Sequence, residues 1–560
     1  MRSRFLALTA AVSMAATAVV APAAFADVDA TNEYIAANFK NPFELPTEKP
    51  QDVVLQAGAN ESSVLLNWIT AKGVTGQSVR IQEKGGEAKT IEAKSTDSKV
   101  TVTEGKIKNP EVEPVWATVA NHKATIEGLK ENTEYTYSVG SEKTGWSEEH
   151  TFNTGTFGDK WNFLVFGDPQ LYSTKDLAEQ TAGWNNTVTQ ATKRFPETSF
   201  LYSAGDQANH SALQEHGGFI SPEALRKYRT VVTMGNHDYY HAPSYEAMYN
   251  RPNVEDENYW FTYNNALVIN MDTNDWEDFD DDAAFLRKVV KEQGADKDWV
   301  ILTYHHSTFS QAYHQEDRGI QYWRERMTPV ISELDVDLVL GGHDHIYTRS
   351  HLMNGYTPVD SGRVAEKGET LEKKKGETQY VTTNSASGSK YYQFFDFKTG
   401  ERNEDVKETF DQTVKEKTIR DYTAVWNQNG VPDYTNVEVT PEGLTVTTYD
   451  TGDGEVKVRF DGAAEYANYQ ISRDPMQVWA LVSTAIMLGA LAGSLAIKRR
   501  RVWVRIRPGT SGHTHVEIAG LARTDRAGWG REFDDIAAAI LGLDPDDDEG
   551  EQGEFNPYDL

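Results

Sequence analysis

The chain has no cysteine among its 560 residues. Disulfide-stabilised scaffolds and cysteine-based metal sites are therefore excluded. Basic side chains are also scarce, because 55 Lys and Arg stand against 85 Asp and Glu and leave a net charge of −30. Nucleic-acid binding depends on basic groups that neutralise phosphates, so no nucleic-acid partner is expected. A small anionic substrate would need local positive charge from a metal ion or a helix terminus.

Apolar residues, by contrast, are plentiful enough for a folded protein. They make up 39% of the chain and include 13 Trp, 26 Tyr and 22 Phe. Most of the chain is therefore expected to be folded around a buried core. A chain of 560 residues is too long for one compact core, which predicts several domains.

The N-terminus has the pattern of a secretory signal peptide. Arg2 and Arg4 precede an apolar run from Phe5 to Val20, and Ala24-Phe25-Ala26 provides a small-residue cleavage site. Residues 1–26 are accordingly predicted to be a signal peptide that is removed on export. A retained membrane anchor is the alternative interpretation.

A second apolar run extends from Met476 to Ile497 without a charged residue, and the basic cluster Lys498 to Arg501 follows it at once. Its length suits a single transmembrane helix, and the positive-inside rule places the basic flank in the cytoplasm. The predicted topology puts residues 27–474 outside the cell membrane and the tail 498–560, with its acidic and disordered end, inside. A buried core helix is the alternative for this run.

Residues 51–155 have the pattern of a small all-β sandwich, preceded by an extended lead-in at 27–50 that contains three prolines. Short alternating runs are separated by turn-forming residues, and Trp68 lies where an inward-facing aromatic residue is expected. The predicted strands are Val53–Gln56, Val64–Ile69, Val79–Gln82, Val100–Val102, Ala124–Ile126 and Tyr135–Val139.

Residues 160–465 are predicted to form a layered α/β domain, an α+β sandwich, because strand-like apolar runs alternate with longer segments. Lys175–Phe195 has helical spacing, and Leu444–Phe460 alternates around a Gly-rich turn as a hairpin does. The polar segment 396–435 leaves two interpretations open, an inserted helix and loop or an irregular lid. The predicted strands are Asn162–Phe166, Ser199–Ser203, Thr230–Met234, Ala266–Met271, Trp299–Tyr304, Asp337–Leu340 and Gln379–Thr383.

Five of these strand ends carry short polar motifs. Each motif alone is common in loops and helix caps, but the five in this order point to a site. Ten of the 14 His lie between His210 and His351, in the same part of the chain. The motifs are Phe166-Gly167-Asp168-Pro169-Gln170, Ala204-Gly205-Asp206-Gln207-Ala208-Asn209-His210, Gly235-Asn236-His237-Asp238, Tyr304-His305-His306 and Gly341-Gly342-His343-Asp344-His345.

The residue types in these motifs predict a metal site. The carboxyl ends of strands in an open α/β sheet converge on one crevice, so the motifs are expected to meet there. Carboxylate, amide and imidazole groups form a mixed ligand set that suits Mn, Fe, Zn or Co better than Ca²⁺. Two ions about 3.5 to 4 Å apart would share a bridging carboxylate, for which Asp206 is the best candidate.

The motifs closely resemble those of the calcineurin-like metallophosphoesterases, and within them the purple acid phosphatase branch that carries an N-terminal fibronectin type III-like domain. The segment Gly128–Val139, with Tyr135 at the tyrosine-corner position, also resembles the late-strand signature of such a domain. The resemblance covers roughly residues 51 to 460.

The resemblance implies a role for each matching residue. His237 would lie beside the phosphate as the catalytic proton donor, with Asp238 orienting its ring. The implied ligands of metal one are Asp168, Asp206 and His345, and those of metal two are Asp206, Asn236, His305 and His343.

Two positions depart from the family pattern. Purple enzymes place a metal-binding Tyr where this chain has Asn209, so the sequence does not predict an iron-tyrosinate. Other branches place a His ligand where this chain has Gln170, which is predicted either to bind metal one through its amide oxygen or to act as a cap beside the ligands. Asn209 and His210 are candidate substrate contacts. His306 is interpreted as a satisfied core residue, with a substrate contact as the alternative.

The predicted activity is hydrolysis of a small phosphorylated substrate, as an acid-phosphatase-like phosphomonoesterase with two divalent or trivalent transition metal ions (Fe, Zn or Mn). A phosphodiesterase or nucleotide hydrolase is the alternative within enzymes, because the same metal pair supports it. A cell-surface binding protein with an inactive phosphoesterase scaffold is the alternative from another class.

Overall fold

A computed structural model gives the fold of the chain. It describes residues 32–33, 35–37, 43–102, 115–174, 176–276, 278–361, 370–403, 419–451, 456–460, 487, 500–508, 514–522 and 531–542. The chain divides into two compact units, residues 1–466 and 467–560.

The N-terminal part of the first unit is all-β, as predicted. Trp68 is fully buried in its core with Leu66 and Tyr137. The Tyr135 hydroxyl accepts a hydrogen bond from the backbone N–H of Lys130 at 3.0 Å, which is the tyrosine corner expected from the sequence. The strands of one sheet are Gln51–Ala57, Val64–Ala71, Lys94–Thr101 and Trp116–Ile126, and those of the other are Ser78–Glu83, Ala88–Glu92, Glu134–Ser141, Gly145–Trp146 and His150–Asn153.

This β-domain and the α/β domain share a sheet. Strand Gln51–Ala57 pairs with Val64–Ala71 on one side and runs parallel to Arg229–Val232 on the other. The side-chain amide of Asn67 adds hydrogen bonds across the junction, to two backbone carbonyls of the helix at residues 247 and 248. The two domains therefore form one ten-stranded sheet, a pairing that no local sequence pattern predicts.

The α/β domain consists of two stacked sheets with helices on their outer faces. Apolar residues of both sheets, such as Val165 and Val268, meet in one core between them. Trp184 packs a helix against the outer face of the first sheet, and Trp323 does the same for the second. The predicted mixed α/β class is confirmed, and the domain has two stacked sheets, as an α+β sandwich does.

The first sheet continues from Arg229–Val232 through Phe200–Ser203, Trp161–Phe166, Asp433–Thr440 and Gly443–Thr451 to Val456–Phe460. The second has the order Tyr259–Tyr263, Ala266–Met271, Trp299–His306, Leu338–Gly342, Gln379–Thr382, Tyr347–Ser350 and Thr423–Asn427. The helices of the first unit are Leu177–Arg194, Leu213–Ile220, Ala224–Lys227, Asn236–Tyr239, Ala242–Met248, Phe279–Gln293 and Arg318–Glu333, with a 3₁₀ turn at Tyr313–Glu316.

The helix Leu177–Arg194 shows how the local sequence sets an element's limits. The Asp176 side chain accepts a hydrogen bond from the backbone N–H of Glu179 at 3.1 Å and so satisfies one of the free donors at the helix start. Lys193 and Arg194 lie in the last turn, where positive charge favours the helix end. The helix was predicted at residues 175–195.

Two predicted segments differ in the structure. The lead-in is not extended throughout, because residues 32–33 and 35–37 are helical and Ile35 is fully buried in the core of the first unit. The segment 396–435 is neither a helix nor an irregular lid in its described part, since it contains the strands Glu401–Asn403 and Thr423–Asn427. Thr423–Asn427 is a strand because it pairs with Tyr347–Ser350. This partner is distant in the chain, so the local sequence does not predict the strand.

The predicted chain-end features fall largely outside the described residues. The signal peptide at 1–26 and the acidic end at 544–551 lie outside them, as does the transmembrane run 476–497 apart from Met487. Within the described part of the chain, no helix combines the length and apolar character that a bilayer crossing requires. The second unit contains a hairpin and a helix that the sequence reasoning did not predict: Arg500–Pro508, Thr514–Ala522 and Arg531–Leu541.

Asp52, at the junction of the two domains, is expected to reduce stability at neutral pH. Burial raises the pKa of its carboxyl group to about 6, although Arg226 acts to lower it. In the unfolded state the Asp52 carboxyl group loses its proton at a lower pH than in the folded state. The free energy of unfolding therefore falls as the pH rises from about 4 through 6. Asp52→Asn removes the charge and tolerates the φ of 50° at this position.

The variant Asp52→Asn should therefore be more stable than the parent by about 1 to 3 kcal/mol at pH 7.5 and nearly equal to it at pH 4. Urea unfolding at both pH values measures the difference. An equal gain at both pH values would show that the titration of Asp52 is not the cause.

Candidate metal centre

Loops from both sheets meet at one edge of the α/β domain. Three of them follow parallel strands of the first sheet, and two come from the carboxyl ends of neighbouring strands of the second. The predicted convergence therefore occurs, but across two stacked sheets. The residues brought together are Asp168, Asp206, Asn236, His305, His343 and His345.

These side chains form two ligand groups with one common member. Asp206, His305 and His343 make one group, and Asp168, Asp206 and His345 make the other, with the ligand atoms of each group within 4.8 Å of one another. Asp206 Oδ1 lies 3.3 Å from His305 Nε2, and Asp168 Oδ1 lies 3.7 Å from His345 Nε2. Asn236 Oδ1 adds an amide oxygen 3.2 Å from His305 Nε2.

Backbone carbonyls orient two of the imidazoles. His305 Nδ1 donates to the carbonyl of Ala204 at 2.9 Å, and His345 Nδ1 donates to the carbonyl of Lys390 at 2.9 Å. Each bond leaves the Nε2 lone pair directed at the carboxylates, the arrangement by which proteins fix the tautomer of a metal-binding His.

The ligand loops are held in an unusual backbone conformation. Asp168, Asp206, His343 and His345 all have positive φ, between 32° and 71°. Non-glycine residues rarely adopt this region, and clusters of such residues mark functional sites whose geometry the surrounding fold imposes.

Two glycines allow the loops to approach one another. Gly205 has a φ of 106°, and a Cβ placed on it would lie 2.3 Å from His305 Nδ1. A Cβ on Gly235 would lie 2.1 Å from Asp206 Oδ1. Both positions need glycine because any side chain would displace a ligand.

The charges of the cluster are suited to a cation. Burial raises the pKa of Asp168 to about 8, whereas Asp206 and Asp168 overcome the effect of burial and raise the pKa of His305 to about 10. Burial lowers the pKa values of His343 and His345 well below the usual range, so both are neutral donors. A dication would replace the shared protons of the buried carboxylates and His305, so this donor set fits the predicted transition metals.

Two family models match the β-domain and the α/β domain of the first unit separately. Residues 50–154 match the N-terminal domain of purple acid phosphatases, and residues 162–347 match the calcineurin-like phosphoesterases. The second match includes every candidate ligand from Asp168 to His345. The chain therefore contains a calcineurin-like phosphoesterase domain. In front of it lies a purple acid phosphatase N-terminal domain, and the phosphoesterase domain makes the chain a phosphoesterase hydrolase.

One solved structure of a purple acid phosphatase has the same fold. A purple acid phosphatase from yellow lupin (Lupinus luteus) seeds is 16% identical, with a TM-score of 0.57, and the match covers 75% of each chain. GAP50, described as the anchor in the inner membrane complex of Plasmodium, is 14% identical with a TM-score of 0.34 over 54% of this chain and 90% of that chain. A search of curated proteins gave no match.

A third family model, the ResB-like family, matches residues 309–534. It overlaps the phosphoesterase match at residues 309–347. In this overlap the chain forms strands of the second sheet and supplies His343 and His345. The overlap therefore belongs structurally to the metallophosphoesterase domain.

Gln170 lies beside the ligand cluster. Its amide nitrogen donates to Asn209 Oδ1 at 2.9 Å and to His237 Nε2 at 2.9 Å. Its amide oxygen is buried and accepts no hydrogen bond from the described residues. Burial of an oxygen without a hydrogen-bond partner costs free energy. Both predicted roles of Gln170 therefore retain support. Its nitrogen orders Asn209 and His237, and its oxygen is available to a metal.

The interpretation of Asp238 was wrong in one respect. His237 is oriented by the carbonyl of Asn209, to which its Nδ1 donates at 2.7 Å, and not by Asp238. The Asp238 carboxylate is fully buried and accepts hydrogen bonds from the backbone N–H groups of Gly235, Gln207 and Ala208. It therefore ties the Asp206 loop, through Gln207 and Ala208, to the start of the helix Asn236–Tyr239, through Gly235.

The two candidate substrate contacts have defined partners. Asn209 bonds to Gln170 and His237, as described above, so it adjoins His237. His210 lies one residue further, and its ring is held by Glu215 with Nδ1 2.9 Å from Oε1. Both side chains are partly exposed at the edge of the metallophosphoesterase site, which keeps them available to a substrate.

His314 is a site residue that the sequence reasoning missed. Its ring centroid lies 4.4 Å from that of His343, and His314, His343 and Asp344 form a further cluster of possible ligands. The only signal in the sequence is the density of His in this region, because the 3₁₀ turn that carries His314 has no motif.

His306 matches the core interpretation, since it is buried and its Nδ1 pairs with Thr273 Oγ1 at 2.8 Å.

Proposed function

We propose that this metallophosphoesterase hydrolyses phosphate monoesters at a dinuclear transition-metal site in which Asp206 is the bridging ligand. The observation that carries the proposal is that two ligand groups share this one carboxylate. A bridging carboxylate is the usual way for two ions to lie about 3.5 to 4 Å apart.

The ligands would be divided as the resemblance implies. Asp168 and His345 would complete the first metal position, with the amide oxygen of Gln170 beside it. Asn236, His305 and His343 would complete the second. A bound metal pair lowers the pKa of a water molecule and neutralises phosphoryl oxygens. Fe, Zn and Mn all suit these donors, and Asn209 provides no phenolate for a purple iron centre.

His237 would assist departure of the leaving group. Its Nδ1–H bond to Asn209 fixes the ring, and its Nε2 is the atom that Gln170 contacts at 2.9 Å. A substrate that replaced this contact would meet Nε2 directly, so a protonated His237 could donate to the leaving oxygen. Asn209 and His210, at the rim, would contact the rest of the substrate.

We also propose the predicted boundaries and location: a signal peptide at 1–26, the sandwich at 51–155, the catalytic domain at 160–465, a transmembrane helix at 476–497 and a cytoplasmic tail at 498–560. The catalytic domain would then act outside the cell membrane. The apolar run and the basic residues that follow it support this topology.

Metal analysis of the purified full chain, combined with turnover of p-nitrophenyl phosphate and bis-p-nitrophenyl phosphate, tests the proposed function. We expect about two transition metal ions per chain and preferential turnover of the monoester. Preference for the diester would replace the proposal by a phosphodiesterase. An apoprotein that neither binds Mn, Fe or Zn nor turns over either ester would favour the binding-protein alternative.

A further inference from the structure

Glu215 is a buried carboxylate that has no part in the proposed reaction. It occupies the third position of the helix Leu213–Ile220 and is fully buried. Its Oε1 accepts a hydrogen bond from His210 Nδ1 at 2.9 Å. Its Oε2 accepts the backbone N–H groups of His210 at 2.7 Å and Ala212 at 3.4 Å. Burying a carboxylate costs free energy unless such bonds offset it, and two of the three bonds go to His210.

The ring of His210 connects Glu215 to Asn209. Because Nδ1 carries the proton that Glu215 accepts, Nε2 is available as an acceptor. It accepts from the side-chain nitrogen of Asn209 at 3.0 Å. The oxygen of the same amide accepts from Gln170 Nε2 at 2.9 Å. The orientation of the Asn209 amide is therefore fixed by a partner at each end.

Asn209 in turn controls both ring nitrogens of His237. Its backbone carbonyl accepts from His237 Nδ1 at 2.7 Å. Gln170 Nε2, which donates to the Asn209 side chain, also donates to His237 Nε2 at 2.9 Å. A general acid must lie within hydrogen-bond distance of the atom that it protonates. The direction of the His237 ring thus depends on the position of Asn209.

We propose that Glu215 is a positioning residue for His237, which it holds in place through His210 and Asn209. This inference rests on the proposed function, because it concerns the same proton donor. Within the described part of the chain, the hydrogen bonds of the Glu215 carboxylate go to none of the candidate metal ligands. Loss of the carboxylate should therefore affect departure of the leaving group and leave the metal content unchanged.

The test compares the parent with Glu215→Gln, His210→Ala and their double variant in the full chain. Gln keeps the size of the side chain but offers one acceptor oxygen where the carboxylate offers two. His210→Ala removes the ring and retains the backbone N–H that Glu215 accepts, so the loop stays closed onto the helix.

Glu179→Gln is the matched control. Glu179 occupies the third position of the helix Leu177–Arg194 and is exposed. The control therefore removes a negative charge from the first turn of a helix without touching the contacts of His210, Asn209 and His237.

For Glu215→Gln we expect kcat to fall about tenfold with p-nitrophenyl phosphate and about a hundredfold with phenyl phosphate. Phenol is the poorer leaving group, so its departure depends more on the proton that His237 supplies. The double variant should lose no more than about twofold beyond the larger single loss, because both changes interrupt the same set of contacts. Metal content should equal that of the parent in every variant, and Glu179→Gln should keep the parental kcat with both esters.

Crystal structures of the parent and of Glu215→Gln give a readout apart from turnover. We expect His237 Nδ1 to donate to the carbonyl of Asn209 in the parent and this bond to be lengthened or lost in the variant. An unchanged bond in the variant would overturn the inference, as would equal losses with the two esters or additive losses in the double variant. A parent protein that turns over neither ester would contradict the proposed function, whereas the structural comparison would still decide whether Glu215 positions His237.

Discussion

Replacing Asp206 with alanine is expected to remove both metal positions and to lower monoester turnover by on the order of 10³ or more. Asp206 is the one carboxylate shared by the two ligand groups. It also lies 3.3 Å from His305 Nε2 and accepts the backbone N–H of His237 at 2.9 Å. Its loss should therefore disturb both metals and the loop of the proposed proton donor together.

Metal content per chain and turnover of p-nitrophenyl phosphate measure this effect. Asp206→Asn is a useful second variant, because it keeps the size of the side chain and tolerates the φ of 49° while removing the charge. Asp256→Ala serves as the control, since Asp256 is exposed and has a similar φ of 46°. A folded Asp206→Ala protein with full metal content and parental turnover would refute the bridging role.

The second large effect is expected for His237→Ala, which should keep both metals and lower kcat by on the order of 10² to 10⁴. The ring of His237 is not a member of either ligand group. Alanine also retains the backbone N–H that donates to Asp206 Oδ1. Metal binding and proton donation are therefore separable at this position.

A steady-state comparison of His237→Ala with His150→Ala measures this difference, because His150 lies on a strand of the N-terminal β-domain. Metal analysis of the same samples is essential. If His237→Ala lost its metals along with its activity, the residue would have a structural role and would not be the proton donor.

The sequence predicted much of the fold because strand patterns are local. The alternation in Val64–Ile69 and the apolar run Asn162–Phe166 both correspond to strands in the structure. The helix predicted at Lys175–Phe195 is present at Leu177–Arg194. The features that favour its two ends, the Asp176 cap and the basic last turn, are local to the helix sequence. Edge strands such as Ala88–Glu92, with mostly exposed residues, carry too weak a pattern to be predicted.

The ligand motifs were also visible in the sequence, and the structure brings Asp168, Asp206, Asn236, His305, His343 and His345 together. The partners that orient them were not visible. Lys390 and His314 belong to no motif, and their place beside the cluster depends on how segment 383–392 and the 3₁₀ turn fold back. The family resemblance implies that Asp238 orients His237, whereas in the structure the backbone carbonyl of Asn209 has that role.

The sequence by itself determined the residue types at the strand ends, the order of strands and helices and the separation into an all-β part and an α/β part. These properties follow from side-chain periodicity and from motifs only a few residues long. Tertiary structure alone decided that the two domains share one sheet, that the ligands come from two stacked sheets and which neighbours orient them. Those features depend on contacts between residues far apart in the chain, such as Gln56 opposite Thr230, and only the packing of the whole domain selects one such set of contacts.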